Sequence, residues 1–185
     1  PMEIWSPLTS TPGELDELWY RLYCNISRCN RALTALEQSG VEKLGENTAA
    51  QRTAEVHFLR GHSYFKLVTM FRQVPWIDKA VFQQSSHEQV KNNEFTYQEL
   101  MGKVIGEFEA AYNGLPMEVE DGGGRANKVA AAAYLAKCYL TLAWGDGYEA
   151  TDGVDFINEE YMKKVVEYTN VVKQSRYGYL EDFCD

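Results

Sequence analysis

Apolar residues recur along this chain at steps of three and four, the spacing that aligns side chains on one face of an α-helix. The first such stripe runs from Leu15 to Leu36. The same spacing predicts five main helices, at about 15–39, 47–71, 96–113, 127–144 and 158–175. We expect Gly40 to end the first helix, because glycine is a frequent stop signal. Thr96 and Glu99 have the spacing of a capping box at the start of the third.

The stretch from Arg72 to Glu94 lacks helical spacing and contains Pro75 near its start. Proline disfavours helix both at its own position and at the residue before it, so the second helix should end there. A stretch of roughly twenty residues without a regular element is a long excursion, and such loops in compact domains are usually functional or mobile.

Two of the predicted helices share a weak internal repeat. Residues 54–64 can be overlaid on residues 130–140. Ala54 and Gly61 are small enough for a neighbouring helix to come close. Hairpins that stack through small residues are typical of tetratricopeptide repeats. The sequence therefore predicts an all-α fold, with tetratricopeptide-like stacked antiparallel helical hairpins and long inserted loops.

Chain length predicts one helical domain over residues 1–185. Helices one and two, and helices three and four, should pair as antiparallel hairpins, which leaves the fifth helix without a full partner. The odd number of helices, the lack of a signal segment at the start and an end within an aromatic stretch indicate a fragment of a longer protein.

The charge balance narrows the range of partners. With 18 basic and 27 acidic residues, the formal net charge is −9, which argues against nucleic acid because phosphate backbones are bound by clustered Lys and Arg. No apolar run reaches the roughly 18 residues of a membrane helix. The cysteines have no C-x-x-C spacing, so neither a zinc site nor a local disulfide is predicted: Cys24, Cys29, Cys138 and Cys184.

Patterns for catalysis, metal binding and phosphate binding are each incomplete. His57 and His62 are separated by about 140° around a helix and cannot share a metal ion. Ser63 lies inside a predicted helix, whereas a nucleophile elbow needs a strand-to-helix turn. The glycines before Arg125 are not followed by the Lys-Ser/Thr pair of a phosphate loop. We therefore predict no metal site, no cofactor and no enzymatic activity.

An acidic loop after the fourth helix is a further metal candidate. Its carboxylates do not have the spacing of the twelve-residue calcium loop: Asp146, Glu149, Asp152 and Asp155. We interpret the loop as solvated, with calcium binding as the alternative.

Three polar residues are interpreted as structural. Arg60 shares the second helix with Glu55 and Tyr64, and we interpret it as a structural arginine that ties this helix to a neighbour. Arg125 is interpreted as a cap for nearby carbonyl groups, with an anion as the alternative. Asn30 lies on the apolar stripe of the first helix and should bond to the backbone of a neighbouring loop.

Three segments of the chain carry a family resemblance. They are residues 19–33 (WYRLYCNISRCNRAL), residues 54–68 (AEVHFLRGHSYFKLV) followed by 71–75 (FRQVP), and residues 124–140 (GRANKVAAAAYLAKCYL). In this order they resemble the first long helix, the second helix with the turn after it, and a later alanine-rich helix of the SusD/RagB family of nutrient-binding lipoproteins. Together these matches cover most of the region from the first to the fourth predicted helix.

The resemblance implies a surface-exposed lipoprotein of the outer membrane of Bacteroidetes-type bacteria. Such a protein binds a glycan or another nutrient without catalysis and delivers it to a SusC-like TonB-dependent transporter. The resemblance also implies membrane contact through an N-terminal lipid anchor that is absent from this chain. Gln73 replaces the family's usual glycine and Asn127 its usual threonine, and both changes leave the predicted fold intact.

The glycan-binding candidate is Trp5. It lies just before the first helix, where the family places glycan contacts, and burial in the core is the alternative. Sugar rings stack on aromatic faces because their axial C–H groups are weakly positive and the ring face is negative. Three other aromatic residues outside the helical stripes are Trp76, Tyr148 and Phe156.

Two other functions compete with glycan binding. A tetratricopeptide adaptor for protein–protein interaction would show regular repeats of about 34 residues, whereas a long insertion follows Phe71 here. A helical glycosidase would need two carboxylates across a cleft, and no acidic residue is singled out by an apolar setting.

Overall fold

The computed structural model describes residues 13–83, 90–119, 124–144 and 157–177. Within these ranges the chain forms six helices and no strand, which confirms the all-α prediction. The helices are α1 (Gly13–Leu44), α2 (Glu46–Phe71), α3 (Lys79–Phe82), α4 (Tyr97–Gly114), α5 (Lys128–Ala143) and α6 (Glu159–Lys173). None of these helices is both long and apolar enough to span a bilayer.

The predicted end of the first helix is wrong, because α1 continues through Gly40 to Leu44. A Cβ atom at Gly40 would lie 3.2 Å from Leu36 Cδ2 and 3.5 Å from Ala49 Cβ, so this position within α1 faces Ala49 of α2. The chain turns instead at Gly45, whose φ of 78° lies in the region that favours glycine. This single residue joins α1 to α2, and the two helices pack as an antiparallel pair.

Side-chain caps fix the starts of the three later long helices. Thr96 Oγ1 accepts from the Glu99 backbone N–H at 3.3 Å, and Glu99 Oε2 accepts from the Thr96 backbone N–H at 2.7 Å, which confirms the predicted capping box. Asn127 and Asn158 cap α5 and α6, each accepting from the backbone N–H three residues on, at 2.8 and 3.1 Å. Asn127, which replaces the family's usual threonine, therefore still provides a capping side chain.

The long helices pack in sequence: α2 lies between α1 and α4, α5 packs on α4, and α6 packs on α5. The Lys128 N–H donates to the Pro116 carbonyl at 2.8 Å, and the Asn158 N–H donates to the Ala143 carbonyl at 2.9 Å. These bonds bring successive helix ends together, as in stacked hairpins. In α6 only Tyr168 is buried, in keeping with the expectation that the last helix lacks a full partner.

Small residues set the spacing between α2 and α4, as predicted. A Cβ atom at Gly61 would lie 3.0 Å from Glu107 Cβ and 3.3 Å from Phe108 Cε1. A Cβ atom at Gly114 would lie 2.7 Å from the Ala54 Cβ. The two helices therefore approach closely at both points.

The excursion after α2 begins as packed structure rather than as a free loop. Val74 and Trp76 are buried, and Tyr23 Oη donates to the Pro75 carbonyl at 2.7 Å. Tyr64 Oη accepts from the Ile77 N–H at 2.7 Å and donates to the Ile77 carbonyl at 3.1 Å. The single turn of α3 follows directly.

Candidate functional site

Three of the four aromatic residues considered for sugar stacking, including the candidate Trp5, lie outside the described residues: Trp5, Tyr148 and Phe156. The fourth, Trp76, is a core residue. Its side chain is 6% exposed, and its ring stacks on Tyr64 with ring centroids 4.0 Å apart. Trp76 lay outside the helical stripes of the sequence, but the segment after α2 folds back onto the core and buries it.

A buried polar network joins α1, α2 and α4. Arg60 donates from Nε and Nη2 to the two carboxylate oxygens of Glu107, at 2.8 and 2.6 Å, and from Nη1 to Asn30 Oδ1 at 2.7 Å. Asn30 Nδ2 donates to the Ile77 carbonyl at 2.8 Å. His57 Nδ1 lies 3.0 Å from Glu107 Oε2. The structure confirms Arg60 as a tie between helices and Asn30 as a partner of loop backbone.

Hydrogen-bond partners stabilise the charged forms of Glu107 and Arg60 in this network. Burial disfavours the charge on Glu107, but hydrogen bonds from His57 and Arg60 outweigh it and hold the pKa of Glu107 below its usual range. Burial alone would lower the pKa of Arg60. The hydrogen bonds to Glu107 and its negative charge outweigh burial, so the pKa of Arg60 is raised. A general acid needs the opposite shift in its carboxyl group. The network is built to fix helices in place.

Glu107 is the residue that the sequence analysis missed, since no acidic residue was singled out there by an apolar setting. It lies on the apolar stripe of α4 with Val104, Phe108 and Ala111. A charged residue at such a position is almost never buried unless it is paired. The same reasoning that singled out Asn30 would have found it.

A second charged cluster ties α2 to the segment before α5. Arg125 donates from Nε and Nη2 to the two oxygens of Glu55, at 2.8 and 2.5 Å, and Arg52 Nη1 donates to Glu55 Oε1 at 2.7 Å. Burial alone would raise the pKa of Glu55. The hydrogen bonds and positive charges of Arg125 and Arg52 outweigh burial, so the pKa of Glu55 is lowered. The anion that Arg125 meets in this structure is therefore the Glu55 carboxylate.

A groove of about 620 Å³ lies between α1, α2 and α3. Most of its charged side chains have internal partners: Lys79 pairs with Glu37, Arg60 pairs with Glu107, and Asp78 Oδ1 accepts from a backbone N–H of α3. Its remaining lining is mainly apolar: Leu33, Leu36, Val41, Ala49 and Ala50. The groove thus offers apolar contact more than charge.

The two buried thiols, Cys29 and Cys138, are held in their protonated form. Burial raises the pKa of Cys29 to about 11 and raises the pKa of Cys138 far above its usual range, so both remain protonated and poorly nucleophilic at neutral pH. No cluster of three or more possible metal-binding side chains occurs in the part of the chain that the structure describes. The acidic loop of the calcium alternative, at 146–155, lies outside that part.

Comparison with known sequences identifies the family. The SusD-like family described as "Starch-binding associating with outer membrane" matches residues 2–140. This span is most of the chain and contains all three resembling segments. The chain belongs to the SusD-like family. Glu55, Arg60 and Gly61 all lie in segment 54–68 of this SusD-like chain. In the structure these three motif residues make contacts between helices.

Known SusD-like proteins share both sequence and fold with this chain. SusD-like protein P2 of Formosa agariphila is 28% identical over 145 residues, which are 78% of this chain and 27% of that protein. The crystal structure of a SusD homolog from Bacteroides thetaiotaomicron has a TM-score of 0.75 and 24% identity, covering 95% of this chain and 32% of that chain. A laminarin-binding SusD-like protein has a TM-score of 0.67 and 24% identity, covering 88% and 32%. The chain spans less than a third of the length of each relative.

Proposed function

We propose that this SusD-like chain is the helical scaffold of a protein that binds glycan without catalysing a reaction. The observation that carries the proposal is the family match over residues 2–140, to a family described as starch-binding. The laminarin-binding relative of similar fold supports the same ligand class.

The geometry of the described carboxylates supports binding rather than hydrolysis. Glycosidases use a general acid whose pKa is raised, opposite a second carboxylate. Here the hydrogen bonds of Arg60 and His57 hold the pKa of Glu107 low, and Arg125 and Arg52 do the same for Glu55. Both carboxylates are therefore suited to holding helices together.

We further propose that the chain, over residues 1–185, is one domain of a longer, surface-exposed lipoprotein of the outer membrane, anchored through an N-terminal lipid. In this proposal the bound nutrient passes to a SusC-like TonB-dependent transporter. The family description, which names association with the outer membrane, supports the location. Co-purification of the longer protein with such a transporter from outer membranes would test it.

Trp5 remains the proposed sugar-stacking residue. One aromatic platform contributes about 0.5–1.5 kcal/mol beyond its area burial, whereas association costs at least about 4 kcal/mol. The 185-residue chain should therefore bind neutral glycan weakly, and the longer protein should bind it measurably.

Calorimetry of the longer protein with laminarin and with maltooligosaccharides tests this assignment. Trp5→Ala should lower affinity and leave the melting temperature nearly unchanged. Trp76→Ala is the matched control, since loss of this buried ring should cost about 3–5 kcal/mol of stability. If Trp5→Ala keeps the affinity and lowers the melting temperature as Trp76→Ala does, then Trp5 is a core residue and the assignment fails.

A further inference from the structure

Two arginines of α1 differ from the other arginines of the chain. Five arginines bind a glutamate through contacts of at most 3.4 Å: Arg21, Arg52, Arg60, Arg125 and Arg176. Another, Arg72, lies over the Tyr97 ring. Arg28 and Arg31 have no carboxylate within 4.0 Å among the described residues. Within the described residues these two guanidinium groups therefore lack a carboxylate partner, in a chain of net charge −9.

The two side chains lie side by side on the outer surface of α1. Residues three apart on a helix are neighbours, with Cβ atoms roughly 5–6 Å apart. Arg28 and Arg31 are exposed and line a concavity of about 390 Å³ together with Tyr20, Tyr23, Cys24 and Ser27. We call this surface the α1 basic face. One anionic group can therefore be reached by both guanidinium groups.

Aromatic rings border the α1 basic face on two sides. Tyr20 is 64% exposed. Tyr23 and Ser27 also line an adjoining recess of about 190 Å³ that reaches Phe82 of α3, and Arg31 Cζ lies 5.9 Å from the centroid of the Phe82 ring. The hydrogen bond from Tyr23 to the Pro75 carbonyl fixes the wall between the two hollows. The face thus combines a pair of cations with rings on which a sugar can stack.

Two guanidinium groups beside aromatic rings are suited to a ligand that carries both an anionic group and a sugar ring. The planar guanidinium fork of arginine matches carboxylate and sulfate oxygens and binds them through charge-assisted hydrogen bonds. A sugar ring attached to that anion can pack its C–H face on an exposed tyrosine ring. A nucleic acid would require a larger cluster of cations than the two present here. A short acidic oligosaccharide fits the face best, because Tyr20 lies eight residues before Arg28, roughly 12 Å along α1.

We propose that the α1 basic face binds acidic glycans, whose sugars carry a carboxylate or a sulfate group. Arg28 and Arg31 bind the acidic group, and the Tyr20 ring packs against a neighbouring sugar of the same glycan. This inference rests on the proposed function in that the ligand is a glycan, but it uses residues other than Trp5. Because the α1 basic face lies within α1 and its described surroundings, the 185-residue chain carries it in full.

The test is an NMR titration of the 185-residue chain with trigalacturonate, with a sulfated carrageenan oligosaccharide and with neutral maltotriose. We expect the acidic sugars to shift the amide signals of α1 around Arg28 and the Nε–H signals of Arg28 and Arg31. Binding should weaken as sodium chloride is raised, because exposed charges are screened. The carboxylate and sulfate arms identify which acidic group the face prefers.

The variant Arg28→Gln/Arg31→Gln should lower affinity for the preferred acidic sugar about tenfold or more. The matched control is Arg21→Gln, on the same helix, because Arg21 Nε already bonds to Glu17 at 2.6 Å. This control should change affinity by no more than about twofold. Tyr20→Ala should weaken binding of the sugar while leaving the circular dichroism spectrum and the melting temperature unchanged.

The inference would be overturned by no binding of either acidic sugar, by equal binding of maltotriose, or by an affinity unaffected by the double variant. Equal binding of tetraglutamate would also overturn it, because the face would then recognise charge without sugar. If acidic sugars fail to bind here while the longer protein binds neutral glycan through Trp5, only this inference falls. If acidic sugars bind here and Trp5→Ala has no effect on neutral glycan, the Trp5 assignment falls instead.

Discussion

Arg60 places a positive charge inside the helical stack, where its side chain is 7% exposed. Removing an ion from water costs several kcal/mol, and only well-placed partners offset that cost. Glu107 and Asn30 supply those partners here, and every buried side-chain nitrogen and oxygen among the described residues has a hydrogen-bond partner. Removing either Arg60 or Glu107 alone should therefore lower the free energy of unfolding by more than the ion pair itself contributes, because the remaining charge would stay buried without its partner.

A double-mutant cycle on this pair tests that reasoning. Arg60→Met should destabilise the chain by about 3–5 kcal/mol, since Glu107 would stay buried without its main partner. The double variant Arg60→Met/Glu107→Leu removes both charges and should cost less than the sum of the two single changes, by about 1 kcal/mol or more. Urea unfolding followed by circular dichroism measures all four proteins. Strict additivity would show that the two charges do not depend on each other.

Arg72 has a strained backbone at the end of α2. Its φ of 66° and ψ of −80° are rarely adopted by residues with a Cβ atom. Arg72→Gly and Arg72→Ala both lose the guanidinium that lies 3.9 Å from the Tyr97 ring centroid, but only glycine also relieves the strain. Arg72→Gly should therefore be more stable than Arg72→Ala by about 1 kcal/mol in chemical denaturation. Equal stability of the two variants would mean that this turn stores no strain.

At the scale of single residues, sequence reasoning worked where a polar side chain falls on an apolar stripe. Asn30 and Arg60 were predicted to need partners, and they have them. The partner Glu107 lies 47 residues from Arg60, and helical spacing relates only residues of one helix. Trp76 was considered for sugar stacking, but it is buried against Tyr64. The spacing of residues along the chain does not show that the segment after α2 returns to the core.

At the scale of helices, close approach explains why particular positions of α2 and α4 are small. Gly114 ends α4 directly over Ala54, whereas a Cβ atom at Gly106, on the exposed face of α4, would meet nothing within 4 Å. The same substitution should therefore have opposite effects at the two positions.

Gly114→Ala should lower stability by about 1–3 kcal/mol, because the new methyl group would lie 2.7 Å from the Ala54 Cβ and force the helices apart. Gly106→Ala should raise stability by about 0.8–1 kcal/mol through helix propensity alone. Thermal unfolding of the two variants beside the unaltered chain decides the matter. Stabilisation by both changes would show that α2 and α4 can separate without cost.

Helix positions were largely predictable because the apolar stripes are long. The capping signals at Thr96 placed the start of α4 well, but Gly40 was read as a stop, although a glycine inside a helix can also serve close packing. In the structure Gly40 is a buried residue within α1 that faces Ala49 of α2. The four residues of α3 are too few for any periodicity, so this helix was missed.

For the whole molecule, the fold was predictable because each long helix packs mainly on its neighbours in the chain order α1, α2, α4, α5 and α6. Local periodicity therefore carries most of the information about the stack. The binding site was not predictable in the same way. Trp5 lies before the first helix, and the relatives are more than three times as long as the part that this chain matches, so spacing within the helices cannot place the ligand.

The paired carboxylates also make the stability of the whole chain depend on pH. The folded-state pKa values of Glu55 and Glu107 lie below the ordinary value of about 4.3. The unfolded chain therefore binds protons first as the pH falls. Stability from these groups is present above about pH 4.3 and is lost as the pH drops through their folded-state pKa values.

Urea unfolding of the unaltered chain and of Glu107→Gln, from pH 7 to pH 3, should reveal this dependence. The free energies of unfolding should differ most near neutral pH, where Glu107 is ionised and bound to Arg60 and His57. The difference should narrow below about pH 4.3, because acid then removes from the unaltered chain the charge that the variant already lacks. Glu17→Gln is the control, since this carboxylate is 57% exposed and pairs with Arg21 on the surface, so its effect should stay small throughout. A difference for Glu107→Gln that stays constant from pH 7 to pH 3 would mean that the shape of the side chain, and not its charge, stabilises the stack.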